Sequence, residues 1–171
     1  MQSDLIGVHQ ENYGAHYAEH LLEQYKLYVG MADKISERRQ SGNSFFLAIN
    51  TALVGVLGIV WPRTGGLISV LWYAVVSAAG MILCYSWYRL LESYRQLNTG
   101  KFKVVHAIEQ HLPLRPYDAE WTILGRSEKP ELYLLFTHVE TRVPWVFFGL
   151  YLALIVIALA ANWYIHCSMQ V

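Results

Sequence analysis

The chain has 171 residues, 13 basic and 13 acidic side chains, no net charge, and a hydrophobic content of 54% with positive mean hydropathy. Only 15% of its residues are charged, against about 25% in an ordinary soluble domain. This composition argues against a soluble globular domain. The acid–base balance, without a long basic run, argues against a nucleic-acid binder.

The first 43 residues read as a helical arm. Its opening, "MQSDLIGVHQENYG", has neither a basic n-region nor an apolar h-region, so the later apolar segments are expected to direct insertion. From about Gly14 to Gln40 one helix is expected. Leu21, Tyr25, Tyr28, Ala32 and Ile35 recur at 4-3-4-3 spacing, a seam that faces another helix, on a neighbouring subunit or on its own. "QSGNS" is expected to loosen the backbone, with Asn43 or Ser44 capping the next helix.

No Asp, Glu, Lys or Arg occurs from Gln40 to Pro62, from Thr64 to Tyr88 or from Val143 to Val171. A bilayer core about 30 Å thick takes roughly 20 apolar residues per helix, so each gap holds one span. The expected spans are residues 44–61, 67–88 and 144–165. The third, "LYLALIVIALAANWY", is apolar on all sides, whereas a surface helix of a soluble protein keeps a polar face. Residues 62–66, "PRTGG", form a tight hairpin between the first two spans. Small residues in both, including Ala48, Gly55, Gly58, Ala74 and Gly80, suit close backbone approach. Asn50, Thr51 and Ser77 are the notable polar residues within the spans, and Asn50 is expected to bridge helices. With no charge inside a span, an ordinary proton relay has no evident residues.

The second helix is expected to run past the bilayer to Leu97, since Leu90, Leu91, Tyr94 and Leu97 continue its apolar stripe. "NTG" should end it, with Gly100 as a left-handed cap. "KFKVVHAIEQHL" then reads as a separate short helix halted by Pro113. Asp118 is placed to cap another, "AEWTIL", closed by Gly125. A further helix should start near Pro130, carrying Leu132, Phe136, Val139 and Val143, before Pro144 kinks or restarts the chain into span three. Residues 89–143 thus form a helical insert. With the 43-residue arm it makes too small a core to stand alone, which points to neighbouring subunits. Tyr117 and Trp121 are the expected interface anchors in this insert, alongside Leu21, Tyr25, Tyr28 and Asn50 elsewhere.

Twelve of the 13 basic residues flank the spans on one side, and only Arg63 lies on the other. Lys and Arg favour the cytoplasm, so the arm and insert should be cytoplasmic and the tail, residues 166–171, external. Trp61, Trp72, Tyr73, Trp163 and Tyr164 mark the outer interface; Phe45, Phe46, Trp87, Tyr88 and Trp145 mark the inner one. Cys84 and Cys167 would sit at opposite faces, too far apart for a disulfide within one chain. A Cys167 bond between subunits remains open. Lys101 and Lys103 could attract anionic headgroups.

Candidate chemistry is sparse. His16 and His20 share a helix face near Glu19 and Glu23, a possible but incomplete metal set. His106 with Glu109 and His138 with Glu140 are weaker pairs. Tyr117, Asp118, Glu120 and Trp121 could line a pocket, but their residue types equally suit a helix start and packing. No nucleophile motif, phosphate loop or dinucleotide fingerprint is present, and no cofactor is expected.

Three longer phrases resemble a known family. "EQYKLYVGMADKISERRQSGNSFFLAIN", "YRQLNTGKFKVVHAIEQHLPLRPYDAEW" and "HVETRVP" are similar to the RipA-type octameric bacterial membrane proteins. The resemblance implies a homo-octamer in the bacterial inner membrane, in which the tail placed outside by the charge distribution would be periplasmic, and it transfers no catalytic residues. The combined expectation is an all-α membrane protein with three transmembrane helices and a helical cytoplasmic cap, assembled as a homo-oligomeric ring in contact with lipid. Its function would be non-enzymatic: a scaffold, a role in membrane homeostasis or a pore. A metal-dependent membrane enzyme using His16 and His20 is the alternative.

Overall fold

The computed structural model describes residues 5–60, 67–123 and 140–168. Among them every regular element is a helix: α1 Gln10–Tyr13, α2 Tyr17–Val60, α3 Leu67–Glu109, α4 Pro116–Ile123 and α5 Val143–Ser168. Three of these, α2, α3 and α5, contain stretches long and apolar enough to cross a membrane. The hairpin after Trp61, the closure at Gly125 and the helix from Pro130 lie outside the described residues.

The chain divides into two compact units. One comprises Met1–Arg39 with Ser93–Phe136, the other Gln40–Glu92 with Thr137–Val171. Twenty-one of the 26 charged residues belong to the first unit, so it is the polar unit and the second the apolar one.

Two expected helix ends do not occur. α2 continues unbroken through "QSGNS" for 44 residues, although an interior Gly costs about 1 kcal/mol relative to Ala. Tertiary contacts offset that cost. A β-carbon at Gly42 would stand 3.2 Å from Leu90 Cδ2, so the absent side chain lets α3 approach. Asn43 does not cap a helix; its Oδ1 accepts the Trp87 indole N–H at 3.0 Å. α3 likewise runs through Gly100 to Glu109, 43 residues in all, or about 64 Å at 1.5 Å per residue. Gly100 has no positive φ; that conformation belongs to Gly14 (φ 95°), which ends α1. Continuing α3 buries Val105 and Glu109 completely. "KFKVVHAIE" is therefore the end of the long helix rather than a separate one.

In the apolar unit, Leu57, Tyr73, Cys84, Tyr151 and Ala158 form the buried cluster, with Leu53, Val76, Phe147 and Leu154 packed around it. The Trp87 indole stacks on Phe46, with ring centres 6.0 Å apart and planes 8° from parallel, and tilts against Phe147 at 6.2 Å. At the start of α5, Trp145 N and Val146 N both donate to Arg142 O. Pro144 falls in the first turn, where its missing N–H has no helical partner to lose. It restarts the helix rather than kinking it.

Candidate functional sites

Glu109 closes α3 with its side chain fully buried. A buried carboxylate is costly unless its oxygens are hydrogen-bonded, and here three donors converge on it. Tyr25 OH of α2 donates to Oε1 at 2.8 Å. The Tyr117 backbone N–H donates to the same oxygen at 3.1 Å, and the Asp118 N–H to Oε2 at 3.1 Å. The last two are open N–H groups of the first turn of α4, which intrahelical bonds cannot satisfy. A carboxylate there also meets the positive end of the helix dipole. Glu109 thus caps α4, whereas Asp118 was the expected cap. One side chain fastens α2, α3 and α4 together.

The surroundings complete this clasp. Phe102 packs on the Tyr117 ring at 5.6 Å, and Lys101 Nζ stands 4.5 Å above the Tyr28 ring, a cation–π contact. Burial raises the Tyr25 hydroxyl above its ordinary pKa, and the hydrogen bond to Glu109 and that residue's charge add to the effect. Tyr117 is raised too, first by burial, then by the charges of Asp33, Glu120 and Glu109.

The interface candidates find their places accordingly. Leu21, Tyr25 and Tyr28 are half-buried, and Ala32 and Ile35 of the same seam are buried. Tyr25 and Tyr28 meet Glu109 and Lys101 of α3, so this seam has a partner on its own chain. Tyr117 is half-buried inside the clasp, while Trp121, one turn on, is 37% exposed.

The apolar unit holds a second polar node. Asn50 Nδ2 donates to Phe46 O at 2.8 Å within α2. Its Oδ1 accepts the Cys84 thiol of α3 at 3.3 Å and the Tyr151 hydroxyl of α5 at 3.1 Å. Tyr151 OH also lies 3.4 Å from the Asn50 carbonyl oxygen. Asn50, Cys84 and Tyr151 are all at most 1% exposed, so Asn50 bridges three helices inside one subunit. Tyr151 lies directly over Gly80, where an added β-carbon would come within 2.6 Å of ring carbons on both edges. Tyr73 OH donates to Leu57 O at 3.2 Å. Thr51 returns its hydroxyl to Leu47 O at 2.8 Å, and Ser77 is fully buried with its Oγ unpartnered among the described residues.

His16 and His20 stack with ring centres 5.8 Å apart. His16 Nδ1 pairs with Glu19 Oε2 at 3.2 Å, and His20 Nδ1 with the Tyr13 hydroxyl at 2.9 Å. No group of three or more His, Cys, Asp or Glu among the described residues is arranged to hold a metal ion. Both cysteines are free, Cys84 buried and Cys167 exposed.

Glu109, Gly80 and Tyr151 were not singled out as a structural set from the sequence. Glu109 did leave a trace: it follows Val105 by four residues and precedes Leu112 by three, a carboxylate on an apolar stripe. Tyr151 is a lone hydroxyl inside an otherwise aliphatic run.

These features define a class: an all-helical membrane protein with three candidate spanning helices and a separately packed polar unit. The model of the octameric membrane protein family (8xMP) matches residues 22–160, and the chain belongs to that family. The match includes all three phrases that carry the resemblance to RipA-type proteins. No curated protein and no solved structure matches the chain.

Proposed function

We propose that this protein is a non-enzymatic scaffold of the bacterial inner membrane, built as a homo-octamer, that organises the membrane rather than transforming a substrate. The observation that carries this reading is the family match across the arm, the three apolar helices and the insert. The use made of intramembrane polarity supports it. The Asn50, Cys84 and Tyr151 groups are spent on one another within a subunit, leaving them no free role along a conducting path. In this reading residues 1–43 and 89–143 are cytoplasmic, 62–66 and 166–171 periplasmic, and lipid surrounds the three spans.

The test is a mass measurement of the purified protein in detergent and nanodiscs, joined to an ion-flux assay in liposomes. Eight subunits per particle with no flux above protein-free vesicles is the expected result. A monomeric particle would overturn the octamer. A robust flux would replace the scaffold by a pore.

A further inference from the structure

The polar unit presents large apolar side chains to water at two separate places. On α4, Pro116, Ala119 and Ile123 follow the i, i+3, i+7 spacing of one helix face, and all are exposed, Ile123 by 78%. Leu114, just before the helix, is 79% exposed. This face turns away from Tyr117, whose backbone N–H is held by Glu109. The second place is on α2, where Leu27 and Met31 are neighbours one turn apart and are 67% and 37% exposed.

The two places lie on opposite flanks of α2. Tyr25 of α2 and the Tyr117 N–H of α4 share the same Glu109 oxygen, so α4 lies on the Tyr25 side. At about 100° per residue, Leu27 is roughly 160° around the helix from Tyr25, and Met31 roughly 120°. A closed ring needs two such surfaces, because each subunit meets its two neighbours through different patches.

We infer that the Leu114–Pro116–Ala119–Ile123 face of α4 docks on the Leu27–Met31 stripe of the next copy of this chain, head to tail around the assembly. This rests on the octameric reading above. Lipid is the less suitable occupant. Leu27 and Met31 share their face with Glu23 and Lys34, of opposite charge, and α4 carries Asp118 and Glu120 with Arg115 just before it, no basic cluster for anionic headgroups. The Glu109 clasp holds α4 in place before docking, so little ordering cost remains at association.

The experiment compares three full-length forms in a Cys167→Ser background: Leu27→Cys, Ile123→Cys, and the two together, each treated with a short bifunctional maleimide in nanodiscs. The double variant should give a ladder rising to eight subunits, and each single variant no rung beyond a dimer. In parallel, Ile123→Glu should reduce the particle from eight subunits to one or two while its helical circular dichroism is retained, since that side chain is exposed. If the unmutated protein has eight subunits, yet the double variant gives no ladder and Ile123→Glu keeps the full mass, this interface is wrong and the octamer stands; lipid then covers α4. If the unmutated protein is itself monomeric, the octameric reading fails, and this interface with it.

Discussion

Glu109 concentrates more stabilisation than any one residue type would suggest. Its carboxylate satisfies two N–H groups of α4 and one hydroxyl of α2 at once, and hydrogen bonds to a charged acceptor contribute about 1.5–3 kcal/mol each. Glu109→Ala should therefore destabilise the polar unit by about 2–4 kcal/mol, allowing for partial relaxation and the loss of a helix cap. Glu109→Gln keeps one acceptor oxygen but turns an amide NH₂ toward a donor, so its cost should be smaller yet measurable. Chemical unfolding in detergent, followed by far-ultraviolet circular dichroism, reads both; equal stability of wild type and Glu109→Ala would show that the clasp contributes nothing. The pH dependence has a definite sign. Tyr25 in the folded chain holds its proton above the ordinary pKa of 10.0, so the unfolded chain loses that proton first. The contribution is complete below about pH 10 and is lost as pH rises through the folded value. Tyr25→Phe should flatten this alkaline decline.

At the scale of elements, the helices are decided by what they pack against more than by their local punctuation. α2 and α3 pass through Gly42 and Gly100, where propensity alone would favour a stop. Gly80 shows the reverse use of glycine: its bare backbone admits the Tyr151 ring, which brings the Tyr151 hydroxyl to Asn50. Gly80→Ala must push α5 away or rotate the ring, and overpacking of this kind costs about 1–3 kcal/mol. It should lower the thermal midpoint in detergent without preventing membrane insertion. Tyr151→Leu removes the ring and should suppress much of that cost, so the double variant should be less impaired than the two single effects added. Strict additivity would mean that Gly80 and Tyr151 do not meet.

For the whole molecule, the distribution of charge predicts an orientation. A reporter fused after Val171 should be periplasmic and one inserted near Gly125 cytoplasmic, because 12 of the 13 basic residues flank the spans on that side. Protease access in spheroplasts and inverted vesicles separates the two positions. Both reporters on one side would break the three-span arrangement. The same charge pattern matches the division into two units: most residues that lipid rejects gather in one, and the charge-poor helix segments pack in the other.

Some of this organisation is determined by sequence alone. Three charge-free stretches of bilayer length announce three apolar helices, because desolvating a charge in lipid is costly enough to make its absence informative. The 4-3-4-3 seam of Leu21, Tyr25, Tyr28, Ala32 and Ile35 announces that α2 has a helical partner, because apolar spacing reports a buried face. Neither pattern names the partner. Only the tertiary structure places that seam against its own α3, carries α3 through Gly100, and assigns the α4 cap to Glu109 rather than Asp118. The physical reason is one of range. Hydropathy and helical period are properties of neighbouring residues, whereas the Tyr25–Glu109 bond joins residues 84 positions apart and the Asn50–Tyr151 bond joins residues 101 apart. Their energies arise only when folding has removed both groups from water.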